Sequence, residues 1–366
     1  MTKIITTFLT FFGLAAIYLL TWPVPVKPVA WEAPVDNGLI GEYQVNNKLS
    51  DIELLSIAGE EGPEDFAVSP DGKLFFSLLG GKVMYLNEEG NAVEYANTQG
   101  RPLGLEFSPA GDLYVADAFK GLLKIAASDQ SIEVLANSLM LENGEESAIR
   151  YADDLDLTSD GVIYFSDAST RFAAEVFGTF DASMLDIMEH SQSGRVLKYD
   201  PVTKQTTQIM DGIQFANGVA VSHDEQFILV NETGKYRILK HWIAGDEKGK
   251  TEVFVENLPG FPDNLNKSVN DGYWLGLVAP RNKLLDLMSP YPEVRTVVQR
   301  MPPALKPKAD LYGHVVKLNE QGEVLISLQD TNTIYSYTTG AIELDGWLYV
   351  SSLHEKVLGR LPLSAF

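Results

Sequence analysis

The sequence predicts an all-β fold: one six-bladed β-propeller, with an N-terminal membrane-anchor helix and helical lid insertions. Three observations carry this. An apolar run without charge opens the chain. After residue 50 one phrase recurs six times, a short alternating strand, a small polar turn and a second alternating strand. Two segments, 169–193 and 280–310, break the rhythm.

Composition bounds the answer first. A chain of 366 residues allows two or three domains at about 150 residues each, although all-β domains run longer. Hydrophobic residues at 45% and charged residues at 21% exclude a disordered or fibrous chain. With 28 Lys+Arg against 50 Asp+Glu the net charge is −22, so the surface repels phosphate and no nucleic-acid partner is expected. The absence of Cys excludes disulfides, thiolate metal sites and cysteine catalysis, and leaves the redox compartment open.

Between Lys3 and Lys27 lie 23 residues without a charge, reading I-I-T-T-F-L-T-F-F-G-L-A-A-I-Y-L-L at 4–20. As a helix this stretch reaches about 34 Å, enough for a hydrocarbon layer of about 30 Å. Trp22 stands where an interfacial aromatic belongs, and the W-P-V-P-V-K-P-V-A-W that follows is a stiff proline-rich spacer. Residues 1–30 therefore form an anchor and spacer, and 31–366 a propeller outside the cytoplasm, an orientation that Lys3 alone sets. A cleaved signal, giving a secreted or periplasmic protein, is the competing reading, although no A-x-A site follows; a buried helix is a third.

The repeats read A-V-S-P-D-G-K-L-F-F-S (67–77), E-F-S-P-A-G-D-L-Y-V-A-D (106–117) and D-L-T-S-D-G-V-I-Y-F-S-D (156–167). They continue A-V-S-H-D-E-Q-F-I-L-V-N (220–231), K-S-V-N-D-G-Y-W-L-G (267–276) and A-I-E-L-D-G-W-L-Y-V-S-S (341–352). Asp-Gly between alternating apolar runs is a strong hairpin signal. A second strand pair follows most of them, so each repeat holds four short strands in roughly 50 residues, the arithmetic of a propeller blade. The two long insertions carry apolar residues at helical spacing, such as Phe172, Val176 and Phe180. They are either lids over a site or helices covering a blade edge.

Counting seven residues back from the turns reaches Glu64, Asp153, Asn217 and Asn264 in four repeats, and Leu103 and Thr338 in the other two. In a propeller this is the start of each innermost strand, where it faces the central channel. Asp263 adds a fifth oxygen. Carboxylates and amides without His or Cys suit Ca²⁺ best and Mg²⁺ or Mn²⁺ less well. Three buried carboxylates on one axis need a cation to neutralise them; strand caps and loop hydrogen bonds are the alternative use of these residues. Asp65 and Asp154, each following a ligand position, are candidates for a second, structural ion.

The stretches G-P-E-D, R-P-L-G-L, V-A-D-A-F-K-G-L, F-A-N-G-V, E-N-L-P-G-F-P-D-N and E-L-D-G-W-L-Y-V-S-S resemble the strictosidine synthase-like family from about residue 30 onwards. More distantly, the metal positions resemble the paraoxonases and the gluconolactonase/senescence marker lactonases, six-bladed calcium-dependent hydrolases of lactones and aryl esters. The resemblance implies a channel calcium at Glu64, Asn217, Asp263 and Asn264, and a second calcium at Asp65 and Asp154. At Asp153 many relatives have Asn; the added charge implies tighter binding and a weaker Lewis acid. The paraoxonase channel His is replaced by Leu103, and the catalytic Glu of strictosidine synthase by Thr339, so condensation of tryptamine with secologanin is not expected.

What remains is the ion and Asp263, the candidate general base, or a ligand only. The expected function is a membrane-anchored calcium-dependent hydrolase of carboxylic esters or lactones, acting on a small-molecule substrate. The alternative is a non-catalytic binding module whose hub calcium holds. His190, His223, His241, His314 and His354 share no ligand spacing, and no G-x-S-x-G elbow occurs. Asp117, Asp167 and Glu232 end inner hairpins and are expected to hydrogen-bond between blades, with substrate contact as the other reading.

Overall fold

In the second strand of the phrase the side chains are buried on both faces: Leu74–Ser77, Ile163–Asp167 and Phe227–Glu232 are buried throughout. A strand so placed must lie inside a sheet stacked between other sheets. The computed structural model describes residues 2–366, apart from the side chains of Thr2, Lys3, Phe8, Phe11 and Phe12. Among the described residues it contains six four-stranded sheets, each antiparallel, arranged as the blades of one propeller.

The innermost strands of blades one to six are Phe66–Val68, Pro102–Phe107, Ala152–Leu157, Ala216–Val221, Gly260–Lys267 and Thr338–Leu344. The first hairpin turns demand a left-handed residue, which Gly72 (φ 81°) and Gly161 (φ 85°) supply without a Cβ clash. The ring closes through an early strand: Glu53–Ser56 pairs antiparallel with Val357–Pro362, Glu53 opposite Arg360, and completes blade six. Apolar residues of neighbouring blades interdigitate, as Phe75 and Val83 of blade one do with Phe107 and Val115 of blade two.

The chain opens with helix α1 (Thr2–Thr21), whose Ile4, Leu9, Leu14, Ile17 and Leu20 are each at least 60% exposed. The membrane-spanning anchor expected here is not supported: among the described residues no helix is long and apolar enough to cross a membrane. Part of the apolar run, Met1 and the side chains of Phe8, Phe11 and Phe12, lies outside the described residues, and Thr6, Thr7 and Thr10 interrupt what remains.

Both insertions are helical and leave from the second strands of their blades. In blade three they form α2 (Ala174–Phe177) and α3 (Thr179–Glu189); in blade five, α4 (Lys283–Leu287) and α5 (Pro292–Gln299). Ala182, Leu185 and Met188 of α3 share one apolar cluster with Leu285 of α4, Val298 of α5, and Phe215 and Phe261 from the blades. The insertions therefore cover the channel mouth, not a blade edge. The proline-rich spacer ties them together. Val29 N donates to Glu189 O at 2.8 Å, and Trp31 N donates to Ser289 O at 3.1 Å. Arg295 bridges Met188 O and Val29 O.

Candidate metal centre

The inner strands reveal why particular residues face the axis. In five of them the pairing with the next strand slips: between Pro102 and Leu105, Ala152 and Leu155, Ala216 and Val219, Pro262 and Leu265 (with a further slip between Gly260 and Pro262), and Thr338 and Ala341. A bulge of this kind re-aims the residues inside it. Leu103, Asp153, Asn217, Asp263 and Thr339 follow immediately after each first anchor residue, so they share one register. Glu64 joins them through a backbone bond from its N to Ser77 O at 3.2 Å.

This corrects the seven-residue count in two blades. In five blades the channel residue stands five before the Ser or Thr that opens the turn, at Ser69, Ser108, Thr158, Ser222 and Ser268. The Asp of the blade-five turn, Asp271, sits one residue later than its counterparts, so Asp263 and not Asn264 matches Asp153 and Asn217. In blade six Thr339 replaces Thr338 for the opposite reason: Leu344 pairs with Trp347 across a tighter turn, so the turn comes early. Asn264 falls in the next ring with Asp65 and Asp154.

The structure nevertheless brings the five candidate ligands together. All are at most 6% exposed. Asn264 Nδ2 donates to Glu64 O at 2.9 Å and to Glu64 Oε1 at 3.1 Å. Asn217 Nδ2 donates to Asp263 Oδ1 at 2.7 Å. Thr339 Oγ1 donates to Glu64 O at 2.6 Å. Three oxygens of the set are buried without any hydrogen-bond partner: Glu64 Oε2, Asn217 Oδ1 and Asn264 Oδ1. A buried acceptor left in this state costs about 1–3 kcal/mol, so the set has acceptor capacity to spare for a cation or other donor.

The carboxylates are held away from their ordinary ionisation. Burial pushes Glu64 well up, and the charges of Asp263 and Asp153 push it further. Burial, then Asp263, does the same to Asp153. Burial raises Asp263 to about 7, against the lowering effect of its Asn217 hydrogen bond. A cation would remove this penalty. The donors are all hard oxygens, three carboxylates and two amides, which fits calcium chemistry. They do not close as a finished cage. Among the described residues no three His, Asp or Glu side chains are grouped to hold a metal ion, and the Asn217 and Asn264 amides turn their donors to Asp263 and Glu64.

Asp65 and Asp154 are differently engaged. Asp65 Oδ2 accepts from Leu105 N of blade two at 2.9 Å, and Asp154 Oδ2 from Val219 N of blade four at 2.7 Å. These carboxylates stitch odd blades to even ones. The even blades carry glycine at the matching position because the space is taken: a Cβ on Gly104 would lie 2.5 Å from Asp154 Oδ1. Asp117, Asp167 and Glu232 bond within their own blades, to Arg101 N, Tyr151 N and Gln214 N.

Above the hub lies a cavity of about 560 Å³. Glu64, Asp153, Asn217 and Asp263 line its floor, while Phe180, Met184, Met188, Phe215, Phe261 and Val298 are among its walls. Pro25 of the spacer also lines it. The sequence reading missed that the spacer reaches the site, and it missed Arg101, which lies two residues before Leu103 and so in phase with the channel position. Among the described residues no histidine lines the cavity; His354 stacks edge-on against Phe180 and Tyr337 of its wall.

A six-bladed propeller with an acidic oxygen hub under a helical lid is the class of protein these features define. The chain belongs to the strictosidine synthase-like family. The strictosidine synthase family model matches residues 153–246, and the strictosidine synthase-like N-terminal model matches 41–86. The adipocyte plasma membrane-associated protein of Rattus norvegicus is 32% identical over 373 residues, covering 96% of each chain. Strictosidine synthase-like 3 of Arabidopsis thaliana is 30% identical over 353 residues, 88% of this chain and 87% of that one. Solved structures share the fold. A gluconolactonase of Xanthomonas campestris superposes with a TM-score of 0.61 at 16% identity, over 92% of this chain and 98% of its own. A calcium-binding regucalcin of Agrobacterium tumefaciens gives 0.56 at 12% identity, over 85% and 93%.

Proposed function

We propose that this protein is a calcium-dependent hydrolase of lipophilic carboxylic esters or lactones, associated with a membrane through its N-terminal helix. One observation carries the reading: Glu64 Oε2, Asn217 Oδ1 and Asn264 Oδ1, buried and unpaired, belong to the hub at the floor of a cavity whose walls are apolar. A calcium ion bound there would polarise the substrate carbonyl and stabilise charge developing on its oxygen. Glu64, Asp153, Asn217, Asp263 and Asn264 would hold it. The Asn217 amide orients the Asp263 carboxylate, which offers a proton acceptor for water at the cavity floor. The lid aromatics bind the apolar part of the substrate and exclude bulk water. Thr339 is engaged with Glu64 O and offers no acid, so synthase-type condensation is not proposed.

The relatives' naming as plasma membrane-associated and the exposed apolar side chains of α1 support membrane association. A second reading, a non-catalytic binding module held by calcium, is favoured by one observation: Leu103 puts an apolar side chain at a channel position where an acid or base would serve catalysis.

Purified full-length protein should hydrolyse phenyl acetate and a long-chain lactone, lose that activity in EGTA and regain it with added Ca²⁺. Absence of turnover on either substrate at saturating Ca²⁺, with calcium binding intact, would transfer support to the binding module.

A further inference from the structure

Arg101 is among the largest fully buried side chains, 1% exposed, and its guanidinium is almost unpaired. Nη1 makes one long bond to Pro102 O at 3.4 Å, while Nε and Nη2 have no partner. Other arginines near strand ends behave differently. In blade three Arg195 Nε closes on Asp167 Oδ2 at 2.9 Å, and in blade four Arg237 pairs with Glu232. In blade two the corresponding carboxylate, Asp117, faces Gly121 across the strand pair, and its Oδ2 stays unpartnered. Arg101 gives Asp117 its backbone N–H and no side-chain hydrogen bond. Its charge acts on Asp117 and also on Glu64, Asp153 and Asp263 of the hub.

We infer that Arg101 is the fixed counter-charge of the hub, a positioning residue that sets how many positive charges the site takes from solution. Within the ligand set, three carboxylates once ionised, against one guanidinium, leave two negative charges, the amount a single divalent cation neutralises; Asp65 and Asp154 below them take backbone N–H donors of the neighbouring blades. Arg101 lies beside the set without joining it, because a guanidinium has donors only and no lone pair for a metal. A buried ion without a close partner is tolerated only where neighbouring charge compensates it. Arg101 and the hub supply that for each other while no cation is bound. The inference rests on the calcium reading above and concerns how the site is charged, not what reaction follows.

The test uses the full-length protein and Ca²⁺ itself, by calorimetric titration and by thermal unfolding in EGTA. Arg101→Met keeps the side-chain stem and removes the charge; Arg101→Lys keeps the charge on a different head group. Removing a unit positive charge from beside the ion should tighten Ca²⁺ binding by about tenfold or more, and Arg101→Lys should stay within a few-fold of wild type. The Met variant should melt lower than wild type in EGTA and recover most of the difference in Ca²⁺. Folding of the Met variant only in the presence of Ca²⁺ would read the same way. Equal loss of stability with and without Ca²⁺, at unchanged affinity, would assign Arg101 to packing and overturn the inference alone. A wild-type protein with no Ca²⁺ isotherm would overturn the inference and the calcium reading together.

Discussion

Trp31 stacks face to face on His190, with ring centroids 3.9 Å apart and planes 6° from parallel. The two come from distant parts of the chain. Trp31 belongs to the spacer, and His190 ends lid helix α3 in a left-handed conformation, φ 57°. Through this pair, and through Val29 and Arg295, the N-terminal segment clamps the two lid insertions to each other.

Trp31→Ala should therefore lower unfolding free energy by about 2 kcal/mol, below the full burial value for Trp because this ring is half-buried. It should also raise KM for a lipophilic ester more than it lowers kcat, since the lid loosens while the floor is untouched. Urea denaturation and steady-state kinetics check both; unchanged stability would mean the spacer only rests on the lid.

His190 gives the clamp a pH dependence of defined sign. Burial, helped by Arg295, holds its imidazole down to about 2, and neither ring nitrogen has a hydrogen-bond partner. In the unfolded chain the same group takes a proton below about pH 6.5. The depressed folded value makes the unfolded state bind more protons, so this contribution is present above pH 6.5 and is lost as pH falls below it. His190→Asn tolerates the left-handed backbone and removes the titration. Its stability should fall less steeply than wild type between pH 6.5 and 5. Parallel slopes would place the acid sensitivity elsewhere.

Calcium should act as a ligand of the native state. At 100 times its dissociation constant it adds about 2.7 kcal/mol to unfolding free energy. Thermal unfolding in EGTA should then begin a few degrees lower than in Ca²⁺. A Tm indifferent to chelator would mean the orphaned hub oxygens meet only water.

Asp263 and Glu64 should separate base from ligand. Asp263→Asn keeps an oxygen for the ion and removes the proton acceptor, so turnover should fall by about 10²–10⁴-fold while Ca²⁺ still protects the fold. Glu64→Gln weakens the ion first, so excess Ca²⁺ should restore part of its activity. Near-normal turnover of Asp263→Asn at saturating Ca²⁺ would move the base away from Asp263.

The propeller is legible in the repeats alone, and so are the oxygen-bearing positions that face its channel in three blades. Asp-Gly turns between alternating strands encode hairpins locally, and six such phrases encode blades; a repeat needs no long-range information to be recognised. The oxygen-bearing residues at Glu64, Asp153 and Asn217 were visible for the same reason, since each keeps a fixed distance from its own turn, and Asp263 only as the neighbour of Asn264. Only the tertiary structure decided the register of blades five and six, because the bulges that aim Asp263 and Thr339 arise where two strands pair. It alone closed the ring, with Glu53–Ser56 brought to a partner strand some 300 residues away in the chain. It alone left Arg101 unpaired beside the hub, and folded Pro25 and Trp31 over the lid, because charge balance and packing depend on what neighbouring blades place within reach.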